Sequence, residues 1–137
     1  MNKDDKFVRA LIKGTEKKKA NWNTVANNFY KDFREVGEFI EDAYSYLDAT
    51  KSRRIIIYKA SITTTDHFGE DLEKVNMHLV IAKGTSYEGA FKISDYDLND
   101  SSLLWTLYKM VQRSESGADS LIDDLIKEFD DDDDLPF

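Results

Sequence analysis

The run RRIIIYKASIT, residues 53–63, limits the fold of this chain more than any other segment. Three consecutive isoleucines followed by tyrosine and alanine make both alternating faces apolar. β-Branched and aromatic residues suit a pleated backbone. A strand that is apolar on both faces needs cover on both, so the run predicts a central strand.

Two more strand signals follow it. After the polar loop TTDHFGEDLEK, residues 64–74, the segment VNMHLVIA alternates and puts Val75, Met77, Leu79 and Ile81 on one face, the pattern of a strand with one face buried. KGTS supplies a glycine-containing turn. YEGAFKIS then alternates again, with Tyr87, Gly89, Phe91 and Ile93 together. The three strands are expected to form an antiparallel meander.

Helical periodicity flanks the meander on both sides. Phe7, Val8, Leu11 and Ile12 share one helical face, with Gly14 placed to end the helix. Between Asn23 and Thr50, the residues Phe29, Phe33, Val36, Phe39, Ile40, Ala43, Tyr44 and Leu47 keep a roughly helical spacing interrupted by Gly37. This reads as two helices with a break, and a strand around Tyr44 to Leu47 stays open as the alternative. The Asp-rich SDYDLNDSS offers helix N-caps before Leu103, Leu104, Leu107, Tyr108 and Val111, which repeat at helical spacing. Ser116-Gly117 breaks that helix. A last one runs from Asp119 to Phe129 with Leu121, Ile122, Leu125, Ile126 and Phe129 on one face. The expected class is α+β: a small three-stranded antiparallel meander flanked by N-terminal and C-terminal helices, with a flexible acidic tail. A five-stranded oligonucleotide-binding barrel does not fit three strands.

At 137 residues and 41% hydrophobic content the chain suits one compact domain, residues 1–129, followed by the tail, residues 130–137. Of its 27 acidic residues, five are Asp130 to Asp134, which leaves 22 against 19 basic ones, about −3 for the body. The net charge therefore gives no ground for a general polyanion binder, although local basic patches remain open. No apolar run of membrane-spanning length is present and the N-terminus MNKDDKFVRALIKG is charged, so a cytoplasmic protein that makes no membrane contact is expected. Without cysteine, and with His67 and His78 as its two histidines, the chain is expected to bind no metal or other cofactor.

The C-terminal residues Asp130, Asp131, Asp132, Asp133, Asp134, Leu135, Pro136 and Phe137 combine a self-repelling acidic run with an apolar end stiffened by proline. A pocket with an apolar floor and a basic rim would bury Phe137 and attract the aspartates. DDDDDLPF resembles the C-terminal tip of bacterial single-stranded DNA-binding proteins. In that family the tip docks helicases, recombination mediators, primosome proteins and nucleases, so the resemblance implies that these eight residues bind host replication and repair proteins. The glycine-, glutamine- and proline-rich linker that precedes the tip in that family is missing here. A solubility tail is the plainer reading, but it leaves Leu-Pro-Phe unexplained. The body is similar in pattern to small α+β proteins of Firmicutes and their mobile elements, a likeness that carries no chemistry.

Lys17, Lys18 and Lys19 precede Trp22, and Lys51, Arg53 and Arg54 lie near Tyr44, Tyr46 and Tyr58. Cations interleaved with aromatic rings suit single-stranded nucleic acid, where phosphates pair with the cations and bases stack on the rings. A solvated charge run beside ordinary core aromatics explains the same residues. Asp66, His67, Glu70 and Asp71 read as a polar loop rather than a general-base or metal site, and Asp95, Asp97, Asn99 and Asp100 as helix caps rather than a calcium loop. No phosphate-loop, dinucleotide, nucleophile-elbow or zincin motif occurs, so no enzyme is expected. The expected function is an accessory protein of DNA replication or recombination, phage- or plasmid-encoded, that docks through its tip while the body contacts single-stranded DNA. The alternative is an inhibitor of a host defence or repair protein that binds no DNA.

Overall fold

A computed structural model describes residues 2–48, 50 and 52–130. The chain runs α1 (Lys3–Glu16), β1 (Trp22–Thr24), β2 (Phe39–Asp48), β3 (Arg53–Thr65), β4 (Asp71–Ala82), β5 (Gly89–Ser94), α2 (Ser102–Glu115) and α3 (Ala118–Asp130), with 3-10 turns at Asn27–Asp32 and Asp95–Asp97. The α+β class stands, but the sheet has five strands rather than three. They pair antiparallel in the order β1-β2-β3-β4-β5, an up-and-down meander and not the Greek key of an oligonucleotide-binding barrel.

The two added strands come from the stretch read as helices. β2 carries a bulge between Ile40 and Ala43, and on either side of it both faces are partly apolar. One inserted residue shifts the period-two pattern, so Phe39, Ile40, Ala43, Tyr44 and Leu47 fall at the spacing a helix would show. The break at Gly37 is real: its φ of 86° is left-handed, a conformation glycine adopts without strain. Gly14, by contrast, does not end α1. The helix continues to Glu16, Lys18 takes a left-handed φ of 58°, and the Gly14 carbonyl accepts the N–H groups of Lys19 and Ala20.

β3 is covered on both faces, as its sequence requires. On one face, Tyr44, Ile57, Leu79 and Ile93 stand opposite one another across β2 to β5, beneath Val8 of α1 and Leu104, Leu107 and Val111 of α2. On the other, Ile40 and Ala43 of β2, Ile56, Tyr58 and Ala60 of β3, and Val80 and Ala82 of β4 pack under Val25 and Phe33 from the segment joining β1 to β2. Met77, His78, Leu79 and Val80 are all buried, so β4 is covered on both faces rather than one. The loop predicted after β3 is also shorter than expected. β3 and β4 stay paired to Thr65 and Asp71, and Asp66 closes the turn by accepting the N–H groups of Phe68 and Glu70.

Helix α1 is fixed at both ends. The Asn2 side chain caps it at the Asp5 N–H, and the Asp5 carboxylate, buried, accepts the N–H groups of Asn99 (3.0 Å) and Asp100 (3.1 Å) just before α2. At the far end the Trp22 indole donates to Thr15 Oγ1 (3.0 Å). The first turns of α1 and α2 are thus held together, and the two helices run side by side in the same direction. Among the described residues no helix is long and apolar enough to cross a membrane.

Candidate functional site

Two features of the structure are not explained by core formation alone: a buried polar row and an uncovered C-terminal helix. The polar row lies on the sheet face opposite α1 and α2, where register places Tyr58, His78 and Ser94 directly opposite one another on β3, β4 and β5. His78 Nδ1 lies 2.6 Å from Ser94 Oγ and Nε2 lies 2.9 Å from Glu38 Oε2. Glu38 Oε1 accepts from the Tyr58 hydroxyl (3.0 Å) and from the Glu35 N–H (2.8 Å). Lys92 Nζ donates to the Tyr58 hydroxyl (2.5 Å) and pairs with Glu35 (3.3 Å).

The electrostatics follow from these contacts. Burial alone would raise the Glu38 pKa. The hydrogen bond from His78, the Glu35 N–H and the charges of His78 and Lys92 outweigh it and hold the carboxyl at about 2. The Tyr58 hydroxyl is pushed up, first by burial and then by the Glu38 charge. A hydroxyl–imidazole–carboxylate row is the order used by nucleophilic hydrolases. Here Ser94 is 2% and His78 3% exposed, so a substrate has no approach to the hydroxyl. The row is an internal network that fixes the 25–38 segment on the sheet through Glu38.

The residues predicted to meet nucleic acid are placed at one end of the sheet, and most of the rings near them belong to the core. Register sets Trp22 opposite Tyr46, and Tyr46 opposite Ile55, so the 17–21 connector and the start of β3 lie at the same edge. Lys17, Lys18, Lys19 and Arg53 are exposed there. Trp22 is only 7% exposed, and Tyr44 and Tyr58 are core residues. Arg54 is engaged, donating to Ser45 Oγ and the Thr85 carbonyl (both 3.0 Å) and lying 4.1 Å above the Tyr87 ring. Lys51 lies outside the described residues.

The loop carboxylates have local partners. Asp97 accepts the Ser94 N–H, Asp100 accepts the Ser102 N–H, and Asp95 accepts the Met77 N–H and the Trp105 indole. No set of three or more His, Asp or Glu that could hold a metal occurs among the described residues.

α3 is different. Gly117, at a φ of 75°, separates it from α2, and its apolar stripe is not part of either core layer. Leu121 is 61% and Phe129 63% exposed, with Ile122, Leu125 and Ile126 between them. The helix ends at Asp130, the first of the five aspartates. The remaining predicted partner-binding residues, 131–137, lie outside the described residues.

Comparison of the chain with protein-family models, with curated proteins and with solved structures finds no match.

Proposed function

We propose that this chain is an accessory protein of DNA replication or recombination, of the kind a phage or plasmid supplies, and that its C-terminal segment docks on host DNA-processing proteins. The observation that carries the reading is the uncovered apolar stripe of α3, continuous in sequence with Asp130 to Phe137. An amphipathic helix laid into a groove is a common mode of recognition, and an acidic run speeds encounter with a basic partner. Leu135, Pro136 and Phe137 resemble the tip of single-stranded DNA-binding proteins, which gives the partner class. The docking element is then about twenty residues long, from Ala118 to Phe137, rather than eight.

A second reading, an inhibitor that binds no DNA, is favoured by the burial of Trp22, Tyr44 and Tyr58, which leaves half-buried Tyr46 as the one ring of that set near the surface.

The deciding assay is displacement of a labelled tip peptide of a bacterial single-stranded DNA-binding protein from a tip-binding nuclease by the full chain. Burial of one phenyl side chain is worth about 2–3 kcal/mol. Phe137→Ala should therefore weaken displacement about 30- to 150-fold. Equal displacement by the variant would sink the docking reading. Titration of labelled oligo-dT at two salt concentrations separates the two readings of the body, since phosphate contacts make binding fall steeply with salt.

A further inference from the structure

We infer that the groove between α1 and the first turn of α2 is a docking site for this chain's own C-terminal segment, residues 130–137, bound within the same molecule. The groove has a volume of about 510 Å³, with Ala10, Ile12 and Leu103 as its apolar lining and Lys6, Arg9 and Lys13 as its basic rim. The three cations are three and four residues apart, so they line one side of α1. Lys6 and Lys13 make no ion pair among the described residues, and Arg9 has only Asp100, at 3.7 Å with both side chains about half exposed.

The segment complements this surface in both respects: Asp130 to Asp134 match the rim, and Leu135 and Phe137 match the lining. Two other surfaces near the C-terminal helices and the hairpin tip match it less well. The groove at the opposite end of α1 and α2 carries Glu16 and Glu115 beside Lys18 and Arg113, and the tip of the β3–β4 hairpin presents Asp66, Glu70, Asp71 and Glu73.

The chain is long enough to reach. At 1.5 Å per residue, α2 extends about 18 Å from Leu103 to Glu115 and α3 is about 20 Å long. The docking requires α3, whose residues are nearly all exposed, to fold back along α2 about Gly117, which would set Asp130 level with Leu103. The seven residues beyond it span up to about 25 Å. An intramolecular occupant also has the advantage of high effective concentration over a second copy. Docked in this way, the segment is withheld from other proteins, and a partner must compete with the groove for it. The inference concerns the groove and does not depend on which partner the segment serves.

The absence of cysteine permits a clean test on the full chain. A nitroxide is attached at Asp134→Cys, which leaves Leu135 and Phe137 in place, and amide intensities of the ¹⁵N-labelled protein are read with the spin label oxidised and reduced. The amides of Lys6, Arg9, Ala10, Lys13 and Leu103 should lose at least half their intensity. That loss should shrink at least twofold with Leu135→Ala/Phe137→Ala, and again with Lys6→Glu/Arg9→Glu/Lys13→Glu, whose amide dispersion reports that the fold is intact. Broadening confined to residues 17–19, or unchanged by either set of substitutions, would overturn the inference. So would equal broadening when spin-labelled ¹⁴N protein is mixed with unlabelled ¹⁵N protein, because the occupant would then be a second copy.

Discussion

Acidification tests the Glu38–His78 contact quantitatively. The Glu38 side chain is fully enclosed and its carboxyl is held at about 2 in the folded protein, against an ordinary 4.5. At about 1.36 kcal/mol per pKa unit this difference corresponds to roughly 3 kcal/mol of stability. Because the folded value is the lower one, the contribution is fully present above about pH 4.5 and is lost as the pH falls towards 2. Linkage leaves less than half of this at pH 3, so wild type should lose about 2 kcal/mol through this group alone between pH 6 and pH 3.

Glu38→Gln keeps the shape but has no charge to titrate. Its amide also has one acceptor oxygen where His78, Tyr58 and the Glu35 N–H need two. The variant should be about 3 kcal/mol less stable than wild type at pH 6, in line with the cost of removing one partner of a buried ion pair. The gap should narrow by about 2 kcal/mol at pH 3. Urea titrations followed by far-ultraviolet circular dichroism at half-unit pH steps measure both curves with all other carboxylates in common. If the two proteins lose stability in parallel from pH 6 to pH 3, the assignment of this acid sensitivity to Glu38 is wrong.

Leu104, fully buried between α2 and the sheet, should cost about 2–5 kcal/mol when cut to alanine, read as a lower urea midpoint. Leu125→Asp on α3 should leave the unfolding free energy within about 0.5 kcal/mol of wild type, because the side chain lies outside both cores, yet should reduce displacement of the tip peptide. Removal of residues 130–137 should abolish peptide displacement while leaving circular dichroism unchanged.

The parts of the fold legible in the sequence are those in which one element keeps one period. β3 announced itself through isoleucines on both faces, and α2 through Leu103, Leu104, Leu107 and Val111, all buried on one side. β2 was half legible: the strand held open at Tyr44 to Leu47 lies within it, while the bulge between Ile40 and Ala43 hid its first half behind a helical spacing. β1 is three residues long and too short for a period; what marks it is its pairing with β2, a contact twenty residues away. The polar row was hidden for a related reason. His78, Lys92 and Ser94 look like the wet positions of alternating strands. Only the register, with Tyr58 opposite His78 and His78 opposite Ser94, and the arrival of Glu38 from outside the sheet, make them one buried network. A histidine within VNMHLVIA, flanked by residues buried on both faces, was the available signal.

The C-terminal helix shows the converse limit: periodicity reveals an apolar face but not what covers it. The face of α2 and the face of α3 look alike in sequence, and only the structure separates the buried one from the exposed one. That difference bears on function. The sheet is closed by α1 and α2 on one side and by the 25–38 segment on the other, so most of the apolar area of both faces is already covered. Val36, Phe39, Leu47, Phe68, Leu72, Phe91 and Tyr96 are exposed too, but they are dispersed over separate segments, as single apolar residues commonly are on protein surfaces. Leu121, Ile122, Leu125, Ile126 and Phe129 instead form one stripe on one helix, flanked by Asp123, Asp124 and Glu128 and followed by the aspartate run. A contiguous apolar stripe left in water is costly unless something covers it part of the time. The α1 groove would take residues 130–137 and leave that stripe to a partner, so the spin-label and displacement experiments measure two halves of the same C-terminal segment.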